Sequence, residues 1–222
     1  MSKPSQPSLS TSPHARWDET TEQGLLDEAL VLAAGRGWTQ GLVFAAAAKL
    51  GLSSAEADLL LPHGPADLAA LLSRRHDDLT LAALAGTDPA SLKMRQRISL
   101  GILTRLDIAA AEGEALHRWA GYLALPHHLP LALRLVWESA DRIWRWAGDT
   151  ATDENHYSKR ALVAGILASA MAVRLSSGAE AASALVAARI DNVMAFESWK
   201  AKLKPSDFAK DLASALGKMR YG

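Results

Sequence analysis

Residues Trp137 to Arg174 read W-E-S-A-D-R-I-W-R-W-A-G-D-T-A-T-D-E-N-H-Y-S-K-R-A-L-V-A-G-I-L-A-S-A-M-A-V-R. Two helical patterns meet here at a polar joint. Leu133, Val136, Trp137, Ala140, Ile143, Trp144 and Ala147 recur at three- and four-residue steps, which puts them on one helical face. Arg134, Glu138, Asp141, Arg142 and Arg145 fall on the other. Gly148 has the residue type that commonly follows a helix C-terminus. Thr152 or Asp153 then caps a second helix, rich in Ala and Gly, which can pack closely on its neighbours. The joint from Asp149 to Arg160 carries more donors and acceptors than a cap requires.

Outward from this stretch the signal stays helical. Upstream, Leu25, Leu26, Ala29, Leu30, Leu32 and Ala33 define a helix from Thr20 to Ala34. Gln40–Leu50 gives a second, a short helix capped by Ser53 a third, and Asp67 to Leu84 a longer one. Asp88 or Ser91 caps a helix running to Ala111, and Glu112 to Leu125 follows, ended by Pro126. Downstream, Gly178 separates Asp153–Leu175 from Ala179–Lys200, and Pro205 precedes a last helix, Asp207 to Arg220. Val, Ile, Thr and Tyr never alternate with polar residues over four positions, so no strand competes and the fold class is all-α. The expected segments are a disordered tail over 1–17, helices over 18–86, a helical ligand-binding domain over 87–204 and an amphipathic helix over 205–222.

Composition narrows the function. There are 24 basic and 24 acidic residues, so no bulk charge steers the chain to nucleic acid or an anionic surface. Cysteine is absent, which removes disulfides, thiolate metal sites and a cysteine nucleophile. Met1 to Pro13 lacks the apolar run of a secretory signal. No segment approaches the ~20 unbroken apolar residues of a spanning helix.

Catalytic and metal signatures are sparse. A di-iron helical bundle needs two Glu-x-x-His motifs, and Glu114–His117 is the single instance. His127 and His128 adjoin prolines in a loop and cannot close a metal site alone, and His63 lies in a turn. No G-x-S-x-G or phosphate-binding glycine loop is present. Nothing calls for a cofactor, a metal or a catalytic residue. The apolar stripe suggests a ligand cavity instead. Its candidate lining is Leu103, Trp119, Leu123, Leu133, Val136, Trp137, Ile143, Trp144, Leu162 and Ile166. From periodicity alone, a filled core accounts for them better.

The joint resembles the ubiquinone (coenzyme Q) biosynthesis lipid-binding family, the ninth of the Coq series. The hallmark there is A-G-D-x-S/T-T-D-F-N-W-Y-T/S-K/R-R-A. Ala147, Gly148, Asp149, Thr152, Asp153, Asn155, Tyr157, Ser158, Lys159, Arg160 and Ala161 match it. Glu154 stands where that family has Phe, and His156 where it has Trp. A second match is R-I-D-N-V-M-A-F-E-S-W-K, Arg189 to Lys200. The resemblance implies a non-enzymatic protein that binds an isoprenoid quinone intermediate. It implies presentation of that lipid to the di-iron demethoxyubiquinone hydroxylase at the membrane. Asp149, Asp153, Asn155, His156, Tyr157 and Arg160 would form an exposed docking patch, weaker than in relatives that keep the tryptophan. The implied location is cytoplasmic, peripheral to the inner membrane.

The N-terminal helices resemble the helix-turn-helix domain of TetR-type repressors, with G-W-T, G-L-S and P-x-G turns between them. That likeness implies a homodimer formed through the last long helices, with Gly165, Ala168 and Ala172 permitting close approach. It also offers a second function, a ligand-responsive transcriptional regulator. Charge argues against that. From Thr20 to Leu72 two basic residues, Arg36 and Lys49, face six acidic ones, and Glu56 and Asp58 lie on the helix that would enter the groove. Near the C-terminus, Phe208, Leu212, Leu216 and Met219 share a face flanked by Lys210 and Lys218, a pattern suited to a membrane interface.

Overall fold

The structure, a computed structural model, describes residues 13–148 and 154–202, with side chains described for 19–148 and 157–192. The fold is all-α, with no strand among the described residues. The helices are α1 (Pro13–Arg36), α2 (Gln40–Lys49), α3 (Ser54–Leu60), α4 (Pro65–Leu84), α5 (Met94–Ala110), α6 (Glu114–Leu123), α7 (Leu129–Trp146) and α8 (Glu154–Lys202). Short 3-10 turns at Pro89–Ser91 and Pro126–His128 lead into α5 and α7. The first helix starts at Pro13, inside the stretch expected to be a tail, and the rest of that stretch lies outside the described residues. The expected amphipathic helix over 205–222, with Phe208, Lys210, Leu212, Leu216, Lys218 and Met219, also lies outside them.

Local chemistry sets the N-terminal boundaries. Thr39 caps α2 by accepting the Leu42 amide at 3.3 Å. Ser53 and Glu56 form a capping box on α3. Those Ser53 hydrogen bonds hold the Glu56 carboxyl below its usual range. Gly64 turns the chain into α4 at φ 53, where a Cβ would lie 2.0 Å from Gln40 Oε1. Trp38 is buried and donates its indole N–H to Pro65 O at 2.9 Å, tying the start of α2 to that of α4. Asp58 on α3 accepts from Gln40 Nε2 at 3.2 Å, so this short helix presents acid outward.

Two apolar clusters form the core. The first gathers Leu25, Leu26, Leu42, Val43, Leu68 and Leu72 of α1, α2 and α4 with Leu116, Trp119 and Leu123 of α6. Packing therefore crosses the expected boundary at residues 86–87, because α6 folds back on α1. The second cluster joins α5, α7 and α8 through Ile98, Ile102, Leu106, Ile143, Trp144, Val163, Ile166, Leu167 and Val186. Met171 touches both.

Gly178 breaks α8 at φ 86, ψ −173, where the sequence places a helix junction. One expectation changes here. Tyr157–Asn192 is long and apolar enough, by length and composition, to cross a membrane. The sequence shows no unbroken run because charged residues punctuate it, while its many alanines keep part of the stretch apolar on average. Val163, Ala164, Ile166, Leu167 and Ala170 of this stretch are buried against α5 and α7.

Candidate functional site

A cavity of about 560 Å³ opens between α6, α7 and α8. That is within the ~300–1,000 Å³ typical of small-molecule sites. Trp119 and Leu123 of α6 wall one side, and Leu129, Ala132, Leu133, Leu135 and Val136 of α7 the next. The third wall is Leu167, Ala168, Met171, Ala172 and Leu175 of α8. The space has a sequence cause. Ala132, Ala168 and Ala172 stand where larger apolar side chains would close the gap. Trp119 is fixed from behind by its indole N–H, which donates to Ala69 O of α4 at 3.1 Å. The 3-10 turn at Pro126 starts α7 close to the end of α6. Leu129 and Leu133 remain more than half exposed, which places them at the mouth.

One end of this cavity is polar. Ser73 of α4, Arg105 of α5 and Ser139 of α7 line it. Arg105 is 3% exposed and donates from Nε to Asp77 Oδ1 at 2.6 Å. Ser139 Oγ donates to the same oxygen at 2.7 Å. Arg105 Nη2 reaches Ser73 O at 3.4 Å. Nη1 is buried without a hydrogen-bond partner. Burial pulls the Arg105 pKa down and Asp77 opposes the shift, so the guanidinium is stabilised chiefly by one carboxylate.

The structure divides the expected lining. Trp119, Leu123, Leu133 and Val136 line the cavity. Ile143, Trp144 and Ile166 do not; they are buried in the second cluster, with Leu103 packed against it. Trp144 donates its indole N–H to Lys159 O at 2.9 Å, with the Lys159 ammonium 5.7 Å from its ring centroid. Trp137 stacks on Tyr157 at 6.2 Å, and Leu162 is 44% exposed. The expectation that Trp137, Trp144 and Leu162 face a cavity is therefore corrected. The stripe on α7 is continuous, but its first half meets α6 and its second half meets α5 and α8. Periodicity reports a buried face and not which neighbour buries it.

Several lining residues escaped the sequence reading. Leu129, Ala132, Leu135, Leu167, Met171, Ala172 and Leu175 extend the apolar pattern already read, and their lining role needs the neighbouring helix. Arg105 carried a usable signal. It falls three residues after Ile102 and seven after Ile98, on the buried side of α5.

The expected docking patch is also divided. Asp149 and Asp153, and the side chains of Asn155 and His156, lie outside the described residues. Tyr157 is 67% exposed. Arg160 is not on the surface: it is 2% exposed, with Nε paired to Asp141 of α7. It lies three, four and seven residues before the buried Val163, Ala164 and Leu167, on the inward side of α8, where Asp141 supplies a carboxylate. Gly165 has open space around it, whereas Ala168 and Ala172 belong to the cavity wall. Glu114 pairs with Arg118 at 3.1 Å, and His117, whose Nδ1 lies 3.3 Å from Gly113 O, lines the cavity.

The described residues thus form an all-α fold with a largely apolar cavity that ends at the buried Arg105–Asp77 pair. Residues 129–197 match the COQ9 family model, and they span α7 and most of α8. The human mitochondrial ubiquinone biosynthesis protein COQ9 is 30% identical over 157 residues, 67% of this chain and 49% of the relative. The Rattus norvegicus protein of that name is 31% identical over 157 residues, 67% of this chain and 50% of the relative. The Bos taurus protein is 30% identical over 155 residues, again 67% and 49%. The chain is a COQ9-family protein, and it spans about half the length of the curated relatives it matches.

Proposed function

We propose that this chain serves ubiquinone biosynthesis as a non-enzymatic lipid carrier. It holds an isoprenoid quinone intermediate in the cavity between α6, α7 and α8 and presents it to the demethoxyubiquinone hydroxylase at a membrane. The observation that carries the reading is an overlap. The family match over 129–197 contains the α7 and α8 walls of the cavity. Apolar walls suit an isoprenoid chain, since each buried CH₂ contributes about 0.8 kcal/mol. The surface around Tyr157, beside the mouth-forming helices, is the docking face, and a second copy of the chain pairs along α8.

Native mass spectrometry of the protein purified from ubiquinone-producing cells tests the carrier role. The expected result is a mass increment equal to an isoprenoid quinone or its precursor. A protein that stays empty, also after incubation with such a lipid in vesicles, overturns it. Co-purification of the hydroxylase with wild type and Tyr157→Ala tests the docking face. Light scattering at micromolar concentration tests the dimer.

A further inference from the structure

We propose that Arg105 is the head-group anchor of the cavity and donates a hydrogen bond from Nη1 to an uncharged oxygen of an amphiphile that enters head first. This rests on the reading of the cavity as a lipid site and adds the orientation and the chemistry of the head.

Three observations converge. The cavity walls along α6, α7 and α8 are apolar apart from the exposed His117 of α6, and the buried polar groups gather at the end formed by Ser73, Arg105 and Ser139. Arg105 is 3% exposed, and its Nη1 has no hydrogen-bond partner. A buried donor left unsatisfied is costly, so a ligand that supplies an acceptor gains the difference. Leu129 and Leu133, at the opposite end, are exposed, which leaves the apolar tail to run outward past them.

Charge selects the kind of oxygen. Arg105 and Asp77 are both 3% exposed and pair at 2.6 Å, so the polar end is close to neutral as a unit. A carboxylate or phosphate head would add an uncompensated buried negative charge, which is unfavourable. A carbonyl, ether or quinone oxygen accepts from Nη1 without that cost. Arginine suits the role because two arms of its fork are held, by Asp77 and Ser73, while the third, sealed from solvent, has no partner.

The test uses three probes with one ten-carbon chain: decyl-1,4-benzoquinone, decylbenzene and decanoate. Binding is measured by titration calorimetry on the full chain. A purely apolar cavity favours decylbenzene, the least hydrated of the three. The anchor predicts the opposite order: the quinone binds about tenfold tighter than decylbenzene, and decanoate gains nothing over decylbenzene. The variant Arg105→Met with Asp77→Leu removes the pair as a unit, a change buried ion pairs often tolerate. It should bind decylbenzene like wild type and lose the preference for the quinone. Arg105→Lys, which keeps a cation beside Asp77 but deletes Nη1, should lose it too and serves if the double variant does not fold. Equal affinity of wild type for quinone and decylbenzene, or a preference retained in the variants, overturns the anchor and leaves the lipid cavity standing. Failure of all three probes to bind wild type overturns the cavity reading, and the anchor with it.

Discussion

A Cβ built on Gly101 of α5 would lie 2.8 Å from Ile143 Cγ2 of α7. The two helices touch backbone to side chain here, and Ile143 is 2% exposed, so it has no room to turn away. This contact sets the spacing of α5 and α7 one turn away from Arg105. Gly101→Ala gains about 0.5–1 kcal/mol in helix propensity but overpacks the contact at a cost of about 1–3 kcal/mol. The expected net is a loss on the order of 1 kcal/mol in urea denaturation. In an Ile143→Ala background the obstruction is gone, and the same substitution should become stabilising. A double-mutant cycle measures the coupling, and additivity would show that the contact does not limit the spacing.

His76 makes the fold sensitive to acid. Its side chain is fully buried beside Trp119, with Nε2 3.4 Å from Glu112 Oε1 and Nδ1 unpartnered. Burial is the main cause that lowers its pKa from the reference 6.5, with the Glu112 hydrogen bond opposing and Arg105 assisting. The folded state therefore prefers neutral imidazole, and the unfolded chain binds the proton more readily. Stability from this group is present above 6.5 and is lost as pH falls from there toward the lower folded value. Melting temperature recorded from about pH 8 to about pH 5 should fall on the acid side. His76→Gln should flatten that fall. An unchanged slope in the variant would assign the acid sensitivity elsewhere.

Arg160 belongs to stability and not to docking. It is 2% exposed, and Asp141, one-fifth exposed, pairs with it and, at 2.7 Å, with Arg145. Breaking a buried pair by removing one partner costs about 3–5 kcal/mol. Asp141 keeps Arg145 and some water, so Arg160→Ala should lie near 3 kcal/mol, the low end of that range. Tyr157→Ala, at a site two-thirds exposed and stacked on Trp137, should cost under about 1 kcal/mol. Equal losses for the two in denaturant titrations would contradict this division. Tyr157 is thus the informative position for a binding experiment, since its variant keeps the fold.

The all-α class and the helix breaks at Pro126 and Gly178 were legible because each rests on chemistry local to a few residues. The cavity was only half legible. Trp119, Leu123, Leu133 and Val136 were found by the 3.6-residue period, and the same period wrongly carried Ile143 and Trp144 with them. Which half of α7 borders empty space depends on α6 and α8, and that is tertiary information. Arg160 was misread for a related reason. Its motif neighbours are polar, so the whole segment looks external, but one residue in that turn finds Asp141 across the helix interface.

The most direct check on the cavity is to fill it. Ala132 of α7 is half-buried and lines the cavity between Leu129 and Leu135. A tryptophan there projects into space that no side chain of the ligand-free protein occupies. Overpacking is therefore avoided, and cavity filling commonly adds about 0.5–2 kcal/mol. Ala132→Trp should hold or raise the melting temperature and weaken binding of a decyl-chain probe at least about tenfold, one hydrogen bond's worth or more of lost contact. Ala161→Trp, exposed on α8 and outside the cavity wall, is the matched control and should bind like wild type. Calorimetric titration of the three proteins separates the outcomes. Normal binding by Ala132→Trp would mean that the ligand lodges elsewhere. Equal loss in both variants would point to a general effect of added aromatic surface and not to occupancy of this space.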